Sequence, residues 1–145
     1  MHLLKPLLFA MATVCRAAAT PDYCAGDPSA YVYCTPETFV STTTSSSPLV
    51  SACESRCFDI NSDAGDWVAN FSGTALNHVD NMVGGPCGIS LSRGNTNANE
   101  AFFLTNQDLF NLWHHVLANF AVSGRASGKG TMTCQGQPVD WVVGP

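Results

Sequence analysis

The amino-acid sequence predicts a small α+β domain: a disulfide-stabilised α/β sandwich whose antiparallel sheet carries two helices on one face. Three observations predict it. Six cysteines remain once an apolar leader is set aside. Two segments carry helical periodicity with start signals. Several short β-rich runs are separated by turn formers, in the order α, β, β, β, α, β, β. An antiparallel sheet with both helices on one side buries both helical stripes.

The leader comes first. "MHLLK" is short and basic, and "PLLFAMATVC" is an apolar run shorter than the ~20 residues a membrane span requires. "RAAAT" follows with small residues. Residues 1–19 read as a secretory signal peptide, with Ala17 and Ala19 framing a cut near Thr20. The expected product is soluble and exported. It has 145 − 19 = 126 residues, enough for one domain. Its cations are Arg56, Arg93, Arg125 and Lys129 against eleven Asp and Glu, so its net charge is 4 − 11 = −7. That balance argues against nucleic acid and anionic membranes as partners.

Cys15 leaves with the leader. Cys24, Cys34, Cys53, Cys57, Cys87 and Cys134 form an even set, the mark of a disulfide framework in an exported chain, with fifteen pairings open. There is no Cys-x-x-Cys and no histidine beside a cysteine pair, so no metal site is expected.

Residues 20–46 read as a cysteine-containing arm followed by the polar run "STTTSSS", expected as an exposed loop. The core is expected over 47–145. Ser47 and Pro48 suit the cap and first position of a helix. Leu49, Cys53, Cys57 and Ile60 lie on its buried stripe. Cys53 and Cys57 point the same way from that face, so each is expected to reach a different segment. Trp67, Ala69 and Phe71 alternate with Val68, Asn70 and Ser72 as in a strand with one buried face. Asn70 opens the sequon Asn-Phe-Ser and is the expected glycosylation site.

"VGGPCGISLSRGN" predicts a turn and a strand with Ile89 and Leu91; "NTNANE" reads as a loop and "AFFL" as a third strand. The second helix opens at Thr105 with a capping box to Asp108. Leu109, Leu112, Trp113, Val116, Leu117 and Phe120 form its apolar face, with Gln107, Asn111, His115 and Asn119 opposite. Gly124 is placed to end it. Runs 130–134 and 139–143 flank a Gln-Gly-Gln-Pro turn.

"SGRASGKGTMTC" looks like a phosphate loop and fails as one. Its glycine spacing is wrong, and it runs from helix to strand, whereas the phosphate motif runs from strand to helix. His114 and His115 point about 100° apart and His78 stands alone, so the three read as surface or boundary histidines. Asp63 and Asp66 are close in sequence but lie in a turn, where aspartates serve the backbone. No Gly-x-Ser-x-Gly elbow occurs. Trp67, Trp113 and Trp141 sit at apolar positions of periodic elements and are expected in the core. No catalytic residue and no cofactor are expected.

Taken in order, Cys34 before Phe39, "SPLVSAC" at 47–53, "GDW" at 65–67, "GGPCGI" at 84–89, "NQDLFNL" at 106–112, "GKGTMTC" at 128–134 and "VDW" at 139–141 resemble the fungal secreted effectors related to extracellular protein 2 of a leaf-mould pathogen, known as necrosis-inducing factors. The resemblance runs from about 34 to 143. Ile89 stands where the family has an aromatic, and Thr105 where it has a glycine. The resemblance implies an added pair, Cys24–Cys57, beside a four-cysteine core, for which Cys34–Cys134 and Cys53–Cys87 are expected. It also implies a secreted virulence- or necrosis-associated effector with no established enzymatic site; the expected protein is a non-enzymatic monomer that binds a host or competitor protein or membrane component. The helix and strand order is similar, at fold level only, to smut-fungus killer toxins, which block calcium channels. A killer-toxin-like antimicrobial is therefore one alternative, and a small secreted hydrolase or lectin is another. Arg125 and Lys129, half of the exported chain's cations, are the candidate partner-binding residues.

Overall fold

The computed structural model describes residues 22–63, 65–93 and 99–145. The expected leader, Cys15 and most of the "NTNANE" loop lie outside them. The element order is β1 (Cys34–Pro36), β2 (Val40–Ser41), α1 (Val50–Asn61), β3 (Trp67–Asn70), β4 (Val79–Val83), β5 (Gly88–Ser92), β6 (Ala101–Leu104), α2 (Asn106–Phe120), β7 (Gly128–Cys134) and β8 (Gln137–Gly144). The expected α+β class holds, with antiparallel pairing throughout and three disulfides. The strands divide between two sheets. One has the order β1-β7-β8-β5-β4, with β2 also on β7; β3 and β6 form the other.

Three short strands, β1, β2 and β4, are additional to the sequence reading. β1 and β2 are one edge strand interrupted at Glu37 and Thr38, whose amides both reach the Thr131 carbonyl. The arm therefore supplies an edge of the large sheet. β7 starts at Gly128 rather than 130, because Gly128 and Gly130 can pair where a side chain could not fit. A Cβ on Gly130 would overlap the Thr38 carbonyl oxygen, and one on Gly128 would lie 2.8 Å from Val116 of α2. The β7–β8 connection is the two-residue loop Gln135–Gly136, both at positive φ, as a type I′ hairpin requires. Pro138 is therefore a strand residue rather than part of the turn.

The helix boundaries also shift. α1 begins at Val50 with Leu49 as N-cap and no side-chain cap bond. Ser47 is spent elsewhere: it is 4% exposed and bonds Ser127 Oγ at 2.9 Å. Leu49 is half exposed, whereas Cys53, Cys57 and Ile60 are buried as expected. α2 ends at Phe120, before Gly124. Ser123 and Gly124, both at positive φ, instead form a tight turn closed by reciprocal bonds between Val122 and Arg125.

The "STTTSSS" run is not a free loop. Thr43 Oγ donates to the Phe120 and Ser127 carbonyls at 2.8 and 3.1 Å, and Thr42 Oγ donates to Ser127 Oγ. Hydroxyl bonds do here what apolar contacts do elsewhere.

The cysteines pair as Cys24–Cys57, Cys34–Cys134 and Cys53–Cys87, the scheme the family resemblance implied. Cys34 and Cys134 are opposite each other in the β1–β7 register. Trp113 and Trp141 are fully buried, and each indole finds a carbonyl, Cys87 and Thr131 respectively.

The "NQD" triplet at the start of α2 ties three segments together. Asn106 accepts from Trp67 Nε1 at 2.7 Å and donates to the carbonyls of Ile60 and Asp63. Gln107 accepts from the Asp27 amide at 2.7 Å and donates to the Ala25 carbonyl and Asn111. Asp108 completes the expected capping box with Thr105 and also accepts from the amides of Tyr33 and Cys34. Gln107, assigned by periodicity to the polar face, is therefore buried; the arm covers it and Phe110.

Candidate functional site

The turn after α2 positions Arg125. Its backbone bridges Leu49 and Val122, and its guanidinium donates to the Ser47 carbonyl at 2.5 Å. The flanking amides join in: Val50 donates to the Gly124 carbonyl and Ala126 to that of Pro48. The segment before α1 and the segment before β7 are thus fastened side by side. Between them and the Gly85–Pro86 turn lies a cleft of about 410 Å³, lined by Ser47, Pro48, Gly85, Pro86 and Arg125 among others.

Arg125 is half-buried, and it is the cleft's one ionisable side chain among the described residues. Arg56 reaches the same turn from α1: a Cβ on Gly85 would lie 2.5 Å from its Nη2. The Arg56 guanidinium thus lies against Gly85, and Arg125 lines the cleft that Gly85 borders, in a chain of formal charge −5. Arg56 is also 3.4 Å from Asp59, an exposed pair. A guanidinium stays charged at every physiological pH and offers forked donors. It suits recognition of an anionic or carbonyl-rich group, not proton transfer.

Lys129, the other candidate partner-binding residue, does not share the turn that holds Arg125. It is an exposed residue of β7, opposite Val40 on one side and Val142 on the other. The other sequence candidates are dispersed. Asp66 accepts from the Tyr33 hydroxyl at 3.3 Å, and its charge raises the Tyr33 pKa above the usual phenol value. Asp63 serves through its backbone, on Asn106. His114 is exposed, 3.7 Å from Asp22. His78 packs edge-on against Phe71. His115, expected opposite the apolar face, is half-buried and stacked on Phe39 with ring centroids 3.6 Å apart. Burial first, then the neighbouring His114, lowers its pKa. Among the described residues no group of three His, Cys, Asp or Glu could hold a metal ion, and no helix is long and apolar enough to cross a membrane.

The sequence model of the Hce2 family, described as "pathogen effector; putative necrosis-inducing factor", matches residues 33–134. The chain belongs to this family. No curated protein matches it. The matched span of the Hce2 domain begins one residue before Cys34 and ends at Cys134, so one disulfide closes it. β8 lies beyond the match, although it sits between β7 and β5 in the large sheet. Arg125 and Lys129 lie inside the match.

Sequence reasoning missed Arg93. It is 3% exposed and donates to the Phe71 and Thr74 carbonyls and to Thr74 Oγ, with its guanidinium 5.4 Å from the Phe71 ring centre. A lone arginine after a short strand carries no local signal of that role. The Arg56–Gly85 approach was equally hidden, because it depends on the Cys53–Cys87 bridge bringing α1 beside the turn.

Proposed function

We propose that this chain is a secreted, non-enzymatic effector that acts by binding a host or competitor component, with the Arg125 cleft as its contact. The observation that carries this reading is the Hce2 match over the disulfide-closed core. The cleft supports it chemically, since its ionisable side chain, the Arg125 guanidinium, donates to anions and carbonyls but does not shuttle protons at neutral pH. Lys129 supplies a further exposed cation.

The test is infiltration of purified, oxidised protein into plant leaf, beside application to competing fungi. Necrosis or an immune response in leaf is expected. An indifferent leaf with arrested fungi replaces the reading by the killer-toxin-like alternative, and turnover of a substrate by pure protein replaces it by an enzyme. The double variant Arg125→Ser, Lys129→Ser should keep its disulfides and unfold cooperatively while losing about tenfold or more in potency, since hydrogen bonds to charged groups contribute about 1.5–3 kcal/mol. Undiminished potency would remove the cleft from the contact.

A further inference from the structure

We infer that Asn70 carries an N-linked glycan whose first sugars lie over the bare outer face of the two-stranded sheet. The inference rests on the secretory reading above. Asn70 is the last residue of β3, and strand geometry separates it from its buried neighbours: Ala69 and Phe71 face the core while Asn70 faces outward. Its cross-strand partner is Ala101, whose methyl group leaves room for a sugar. Its Oδ1 accepts from the Ser72 amide at 2.9 Å, and its Nδ2 has no protein partner among the described residues. The sequon residue Ser72 is exposed beside it.

The same face presents an unusual neighbour. Val68 and Phe103 are opposite each other in register and are 51% and 46% exposed. Two residues of strand put Asn70 about 7 Å from Val68, a distance two linked sugar rings span. Beyond Phe103 the apolar strip continues to Tyr33, at 6.2 Å between ring centres, and to Tyr31, at 4.9 Å from Tyr33. Sugar rings have apolar C–H faces that pack on such side chains. A glycan rooted at Asn70 thus supplies the cover that β3 and β6 lack. In the transfer, Asn70 Nδ2 bonds to the anomeric carbon of a diphosphate-activated oligosaccharide. The carbon–oxygen bond to the diphosphate breaks, the diphosphate leaves, and Nδ2 gives up one proton to the transferase.

The experiment expresses the full chain in a eukaryotic secretory host and weighs the product. Secreted protein should exceed the mass of the oxidised polypeptide, and a glycan-releasing amidase should remove the excess, leaving an aspartate at position 70. Asn70→Gln and Ser72→Ala should each abolish the excess. Release of the sugar should raise fluorescence of an apolar dye severalfold, and the double variant Val68→Thr, Phe103→Thr should cancel that rise. Secreted protein of bare polypeptide mass overturns the glycan and leaves secretion standing. A chain that never enters the secretory route overturns both. A glycan whose release leaves dye binding unchanged overturns the covering role. Loss of leaf activity in Val68→Thr, Phe103→Thr made without glycan assigns the face to a protein partner instead.

Discussion

The two sheets solve the same problem by different means. In the large sheet, Ile89, Leu91, Met132, Val139, Trp141 and Val143 are buried, and α2 approaches β7 closely enough that only glycine fits at 128. Its edge is locked by a disulfide between residues already opposed in register. The small sheet contains no cysteine. It is held by polar side chains acting at a distance in sequence: Asn106 on Trp67, Arg93 on the Phe71 carbonyl, Asp80 on the Asn70 amide and Gln135 on the Phe103 amide. Its outer face is apolar and exposed. Both sheets bury one face, the small one through Ala69, Phe102 and Leu104, and both leave apolar side chains exposed, Val40 and Val142 on the large sheet and Val68 and Phe103 on the small; what separates them is the lock, covalent at the edge of one and built of directional polar ties in the other.

The largest expected effect breaks the lock. Replacing both Cys34 and Cys134 by serine opens a bridge of sequence separation 100, against 33 and 34 for the others. The expected loss is about 5 kcal/mol in the chain-entropy picture, read by urea unfolding. A smaller loss than for the Cys24–Cys57 pair would break the contrast between the sheets. The second prediction sharpens it. Asn106→Ala removes three hydrogen bonds, at about 1 kcal/mol each, and should loosen β3 specifically. Amide exchange should accelerate at residues 67–70 while β7 and β8 stay protected.

The smallest effect concerns His115, on the covered side. Its folded pKa is lowered, by burial first, so as pH falls the unfolded chain takes up that proton before the folded one. Its contribution is complete above the ordinary histidine value of about 6.5 and declines as pH drops from there through the lowered folded value. The stability-versus-pH slope in that window should shrink in His115→Phe, which keeps an aromatic ring on Phe39. An unchanged slope would place the titration elsewhere.

Legibility followed the same division. Period-based features were readable: the inward Ala69 and Phe71, the α2 stripe, the capping box at Thr105 and Asp108. The cysteine pairing was readable through family resemblance, although the cysteines alone left fifteen pairings. What escaped was long-range and polar. Ser47 looks like a helix cap until Ser127, 80 positions away, claims its hydroxyl. Gln107 and His115 look solvent-facing until the arm and Phe39 cover them. The cleft itself depends on Pro48, Pro86 and Arg125 meeting, which no local pattern encodes.

The Cys34–Cys134 bridge has a topological consequence. It makes residues 34–134 a closed ring, from which the arm hangs on one side and β8 on the other. A single peptide-bond cut anywhere inside that ring leaves both fragments joined. One nick therefore yields an intact-mass molecule plus one water, and two cuts are needed before any piece of the ring can depart.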